Sequence, residues 1–219
     1  MYSISTNMNI SGILTNWYKI HKRDLPWRKT KDPYSIWVSE IILQQTRVRQ
    51  GMGYYLNFMN QFPDIQTLAN SSLDEILKAW QGLGYYTRAR NLHATAQYIY
   101  NYLGGKFPKN YKDLISLKGI GDYTASAIAS FSFGETVAVV DGNVQRVISR
   151  IKGIDIPVNT AQGKKIIKEE AQKIISHENP ALHNQAIIEF GAILCLPLKP
   201  ECKECPLNHI CYAHHHHIV

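Results

Sequence analysis

The sequence predicts an all-α protein, and three observations carry that prediction. Apolar residues recur at helical spacing through most of the chain. Helix start and stop signals bracket several of these runs. Only Thr136 to Val140 reads strand-like, and it is too short to found a sheet. At 219 residues the chain can bury one large core or two small ones, and its hydrophobic fraction of 45% is ordinary for a globular protein. No apolar run approaches the ~18 residues of a membrane span. The opening Met1 to Gly12 is polar and lacks the apolar centre of a signal peptide, so no membrane partner and a cytoplasmic setting are expected. Lys and Arg number 24 against 17 Asp and Glu, a net charge of +7 that favours an anionic partner, most commonly nucleic acid.

Taken in order, Ile13, Trp17 and Tyr18 share one face of a short helix. Asp24-Leu-Pro-Trp-Arg28 follows as a turn with an anchoring Trp27; its functional alternative is a pocket wall made of the Trp27 π face and the Arg28 fork. Ile36 to Arg49 reads as one buried helix. Within it Glu40 sits in Ile36-Trp-Val-Ser-Glu-Ile-Ile-Leu43, where desolvation disfavours the ionised carboxylate and keeps an acid protonated. The competing reading puts Glu40 on an exposed polar stripe. Leu73, Ile76, Leu77 and Trp80 follow the start signal Asn70-Ser71-Ser72. Leu92 to Leu103 repeats the pattern and stops at Gly104-Gly105.

Between these helices, Gly82-Leu-Gly84-Tyr85-Tyr86-Thr-Arg88-Ala-Arg90 interleaves aromatics with arginines. That suits a nucleic-acid surface, with Tyr85 inserting or stacking and Arg88 neutralising phosphate. Leu117-Lys118-Gly119-Ile120-Gly121 puts two glycines in a hairpin that opens a helix. Uncovered backbone N–H groups there can hold a phosphate without reading sequence, and Lys118 adds charge. Asp141 follows an apolar run and precedes Gly142, which reads most simply as a helix N-cap. Arg146 and Arg150, one turn apart, are positioned to reach backbone phosphates. Glu189 reads as a helix-surface residue.

Every cysteine lies in one run: Cys195, Cys202, Cys205 and Cys211, spaced C-x6-C-x2-C-x5-C. Four thiols in so short a loop-rich stretch predict a metal site, and a disulfide framework is disfavoured. Spacing alone leaves zinc and an iron–sulfur cluster both open.

These motifs, in this order, resemble the endonuclease III-like helix–hairpin–helix DNA glycosylases, and within them the MutY family of adenine DNA glycosylases. The carriers are LPWR with DPY at Asp32, Ser39-Glu40-Ile-Ile-Leu-Gln44-Gln45-Thr46, GLGYY-x-RARNL, the Gly119 and Gly121 hairpin, Val140-Asp141-Gly142-Asn143-Val144 and the cysteine loop. The resemblance implies two helical lobes. One is a barrel with the hairpin over 25–135; the other is a discontinuous cluster lobe of 1–24 and 136–219. It implies a [4Fe–4S] cluster on the four cysteines, acting structurally. It implies double-stranded DNA carrying A:8-oxoguanine or A:G mispairs as partner of a monomer, with the target adenine flipped out between the lobes. Glu40 becomes the acid that protonates adenine, Asp141 the carboxylate facing the sugar, and Tyr123 and Asn143 supporting groups. Trp27, Arg28 and Glu189 contact the base, and Gln45 wedges into the duplex. Bifunctional relatives carry a lysine where this chain has Tyr123, so hydrolysis without a Schiff base is expected. Two alternatives are a thymine (T:G) mismatch glycosylase and a non-catalytic DNA-binding iron–sulfur protein. Longer MutY relatives continue into a domain that reads 8-oxoguanine, whereas this sequence stops just after Cys211, which leaves that discrimination open.

Overall fold

The computed structural model describes residues 9–219; the leader-free reading of residues 1–8 lies outside them. The described residues contain no β-strand. In chain order the helices are α1 (Ile10–His21), α2 (Pro33–Leu43), α3 (Val48–Gln61), α4 (Ile65–Asn70), α5 (Leu73–Ala79), α6 (Thr87–Tyr102), α7 (Tyr111–Leu114), α8 (Asp122–Phe133), α9 (Gly142–Lys152), α10 (Ala161–Ile174), α11 (Pro180–Ile193) and α12 (Tyr212–His215). The chain divides into two compact units, one of Leu25–Glu135 and one of the N-terminal residues through Asp24 with Thr136–Val219.

In the continuous unit the local signals set the helix limits. Asp32 caps α2 by accepting from Ser35 N, with Pro33 at the first helical position. Ser72 and Glu75 form a reciprocal capping box at α5. Helix α6 ends where Gly104 and Gly105 take φ of 60° and 75°, and Gly105 N donates to Ile99 O at 3.0 Å. Trp37, Phe58 and Trp80 are among its largest fully buried side chains. The single helix expected over Ile36 to Arg49 is in fact two. Helix α2 stops at Leu43, Gln45 turns left-handed with φ of 57°, and α3 starts at Val48. Periodicity did not reveal the break because apolar residues continue on both sides of it.

The discontinuous unit buries Leu14, Trp17 and Tyr18 of α1 with Val144, Val147 and Ile148 of α9 and Ile187 and Phe190 of α11. The strand-like Thr136 to Val140 forms no strand. Its extended backbone is paired by side chains instead: Ala138 N donates to Gln172 Oε1 at 2.9 Å and Val139 N to Asn184 Oδ1 at 3.1 Å. Asn184 Nδ2 donates back to Val137 O at 2.9 Å and Gln172 Nε2 to Thr136 O at 3.0 Å. Two amide side chains thus replace a neighbouring strand.

Candidate active site

In the continuous unit, Glu40 lies on α2 with 8% of its surface exposed, and Ser39 beside it has none. The polar-stripe reading of Glu40 is therefore excluded. Trp27 is buried and meets Tyr55 edge to face at 5.1 Å, which is the anchoring role of that turn; Arg28 is half-buried. At the hairpin, Gly119 takes φ of 77°, and a Cβ there would lie 2.6 Å from Asn91 Cβ, so both conformation and space demand glycine. Gly121 caps α8 with extended backbone, no capping side chain, and open space where a Cβ would stand. The N-cap of α8 therefore brings no side chain of its own to that helix end, which suits the approach of an anion. Lys118 is exposed and its carbonyl accepts from Thr95 Oγ1 at 2.6 Å. Tyr123 is half-buried in the first turn of α8.

Arg88 departs from the expected phosphate contact. Its Nη1 donates to Ile41 O at 2.7 Å, Ile42 O at 3.2 Å and Gln44 O at 2.6 Å. Its Nη2 donates to Leu83 O at 3.4 Å and Gly84 O at 3.3 Å. The guanidinium is spent on carbonyls left over at the end of α2 and in the glycine loop between α5 and α6. Exposed Arg47, Arg49 and Arg90 remain available to an anion.

In the discontinuous unit, Asp141 caps α9: Oδ1 accepts from Val144 N at 2.8 Å and Oδ2 from Asn143 Nδ2 at 2.7 Å. Burial pushes its carboxyl above the usual carboxylate value, although these two hydrogen bonds and Arg146 pull the other way. Arg146 orients Asn143 by donating from Nη2 to Asn143 Oδ1 at 2.9 Å. It also donates to Gly191 O at 2.7 Å and, from Nε, to Cys195 O at 2.8 Å. Arg150 Nη1 donates to Leu196 O at 2.6 Å and reaches Cys195 Sγ at 3.3 Å. Both arginines therefore hold the start of the cysteine loop rather than facing outward to phosphate. Glu189, expected at the surface or against the base, has no exposed area and is gripped by Arg23. Oε1 accepts from Arg23 N and Nε, both at 2.8 Å, and Oε2 from Nη2 at 2.7 Å.

Cys195, Cys202, Cys205 and Cys211 are half-buried free thiols. They line one cavity whose other walls include Val147, Ile151, Phe190 and Leu207. Burial and mutual proximity push the thiols of Cys202, Cys205 and Cys211 up, that of Cys205 to about 11. A bound cation would relieve that repulsion and deprotonate them. Among the described residues no three His, Cys, Asp or Glu side chains converge closely enough to hold a single ion. Four thiols lining one cavity are the donor set that a tetrahedral zinc ion or an iron–sulfur cluster takes.

Residues 38–177 match the HhH-GPD superfamily of base excision DNA repair proteins. The chain belongs to that superfamily. Among its curated relatives, the adenine DNA glycosylase of Buchnera aphidicola subsp. Baizongia pistaciae is 43% identical over 206 residues, which is 92% of this chain and 57% of the relative. The human adenine DNA glycosylase is 40% identical over 211 residues, 92% of this chain and 39% of that protein. The chain thus spans about half the length of these relatives. Among solved structures, a thermostable thymine-DNA glycosylase superposes with a TM-score of 0.86 at 30% identity, covering 94% of this chain and 95% of that one. A non-covalent endonuclease III–DNA complex superposes with a TM-score of 0.78 at 20% identity over 95% of this chain and 94% of that one, which shows the superfamily's fold.

Proposed function

We propose that the chain is a monofunctional, monomeric adenine DNA glycosylase that hydrolyses the bond between adenine and deoxyribose in A:8-oxoguanine and A:G mispairs of double-stranded DNA. Glu40 gives its proton to adenine N7, and the C1′–N9 bond breaks with its electron pair leaving on the base. Asp141, ionised, stabilises the cationic sugar. Water then adds at C1′ and loses a proton, leaving an abasic site and a re-protonated Glu40. General acid catalysis of this kind typically contributes ~10²–10⁴-fold. Asn143 and Tyr123 support the site, and with Tyr in place of an amine no imine route is available. Gln45 and Tyr85 engage the helix where the base leaves; Lys118, Gly119 and Gly121 hold a phosphate.

Asp141 is the observation that carries this reading. A half-buried carboxylate that caps a helix N-terminus and is oriented by a fixed Asn143 is what stabilising a transient cation beside it requires. Adenine is favoured over thymine by 40–43% identity to adenine DNA glycosylases against 30% to the thymine enzyme. We assign Cys195, Cys202, Cys205 and Cys211 to a [4Fe–4S] cluster that, when bound, ties the loop together and supplies no reacting group. Single-turnover assays on A:8-oxoguanine, A:G and T:G duplexes test the reading. Adenine release is expected from the first two, and Glu40→Gln should bind the mispair yet release no base. Preferential thymine release, or near-normal turnover by Glu40→Gln, would end it.

A further inference from the structure

Two non-glycine residues in the continuous unit occupy the left-handed region that a Cβ disfavours: Gln45 at φ 57° and Tyr85 at φ 47°. Both are exposed, Tyr85 at 65%. Exposed residues have no core packing to force such a backbone, so something else must hold it. The residues immediately before them, Gln44 and Gly84, both give their carbonyls to the Arg88 guanidinium, at 2.6 Å and 3.3 Å. The same guanidinium lies 5.4 Å from the ring of buried Trp80 and 5.6 Å from that of Tyr85. Trp80 Nε1 also donates to Gly84 O at 3.2 Å. One cation thus fixes both loops, on helices separated in sequence. No Asp or Glu falls between Glu40 and Asp64, or between Glu75 and Asp113. An amide and a flat ring on acid-free, arginine-bearing loops suit a polyanion with stackable bases.

We propose that Arg88 is a positioning residue, which sets Gln45 and Tyr85 as a pair of wedges that hold a duplex open while a base is extruded. The role depends on its planar fork, because a lysine ammonium cannot bridge two loops of carbonyls. This rests on the glycosylase reading above for the base that leaves, but extrusion is measurable without excision.

The test places 2-aminopurine opposite guanine in a duplex and follows its fluorescence on binding Glu40→Gln, which removes excision. A rise is expected with native Arg88, and its loss with Arg88→Met or Arg88→Lys added. In the otherwise native chain, Arg88→Met is expected to slow adenine release from a paired A:G duplex by about 10²-fold, while release of adenine opposite an abasic gap, already unstacked, changes by no more than about threefold. Equal loss on both substrates overturns the proposal. Arg88→Lys keeps the charge and much of the stem but loses the fork, so it should reproduce the same split even if Arg88→Met fails to fold; no split for Arg88→Lys overturns the proposal as well. A fluorescence rise that depends on Arg88, together with no adenine release by the chain that keeps Glu40, would sustain the wedge and reject the glycosylase reading.

Discussion

Replacing Arg23 by Met is expected to cost about 3 kcal/mol of stability. Glu189 is wholly buried, and Arg23 supplies it with three of its hydrogen bonds, two from the guanidinium at 2.8 Å and 2.7 Å. Losing the guanidinium leaves the carboxylate with no countercharge from position 23. Breaking a buried pair from one side costs ~3–5 kcal/mol. The Arg23 side chain is 37% exposed, so water reaches the vacated space and the low end applies. Glu189→Gln keeps one acceptor oxygen and removes the charge, so it should cost ~1–2 kcal/mol. The double variant Arg23→Met/Glu189→Met exchanges both groups for unbranched apolar chains and should recover most of the loss. Urea unfolding reads this as midpoints shifting at constant m. A double variant as unstable as Arg23→Met alone would refute the reasoning. Excision by the same variants decides what Glu189 is for. If it only locks the N-terminal segment to α11, activity returns with stability; if it also touches the extruded base, stability returns alone.

Asn143→Ala removes a hydrogen bond that favours ionised Asp141, so the acid limb of the single-turnover rate should move to higher pH; an unmoved or lowered limb would contradict the assigned geometry. Because burial raises Asp141, its contribution to folding stability is full below the usual carboxylate value and is lost as pH rises through the folded value, so acid does not unfold the chain through this group. Asp141→Ser keeps a good N-cap, so unfolding should shift by less than about 0.5 kcal/mol while excision falls by orders of magnitude; parallel losses would make Asp141 structural. Gly191→Ala puts a methyl 2.7 Å from Asn143 Cβ and 2.9 Å from its carbonyl oxygen, and should cost ~1–3 kcal/mol with a disproportionate loss of rate, measured by calorimetry and excision on one preparation. Purified chain should carry iron and acid-labile sulfide with visible absorbance, and Cys202→Ser should lower all three; stoichiometric zinc alone would overturn the cluster assignment.

What was legible in the sequence was local. Ser72 with Glu75, Asp32 with Pro33, and Gly104-Gly105 each act within a turn of the chain, and each stands where a helix begins or ends. For Glu40 the sequence left burial and an exposed stripe both open, because Ser39 and Gln44 interrupt an otherwise apolar surrounding, and the structure selects burial. The arginines were not legible, since whether a guanidinium meets phosphate or carbonyl depends on acceptors far away in sequence: 49 residues for Arg146 to Cys195 O and 44 for Arg88 to Gln44 O. One signal was present for Arg88. It sits in the first turn of α6, where a cation opposes the helix dipole and no acidic residue compensates. An arginine in that position is better accounted for by carbonyls outside its own helix than by solvent. Arg23 carried no such mark, and its pairing with Glu189 emerges only once α1 lies along α11.

For Asp141 the sequence posed a choice between a helix cap and a catalytic group; the structure shows the cap, and the proposed chemistry asks the same side chain for a second task. An N-cap is the place where a buried anion is tolerated, because unclaimed N–H groups and the helix dipole face it. Capping alone is satisfied by Ser, Thr or Asn without any charge to desolvate. An aspartate at a half-buried cap therefore carries a desolvation cost that the cap does not require, and that desolvation pushes its carboxyl up. The excess is useful only where a positive charge develops nearby. Asn143 adds a second bond that orients the carboxylate, and Arg146 fixes Asn143 in the donating orientation from the far side. In the proposed mechanism the cap holds the anion in place, partial burial limits its water, and the cationic sugar supplies stabilisation that the surroundings do not, which is the condition for favouring the transition state over the ground state.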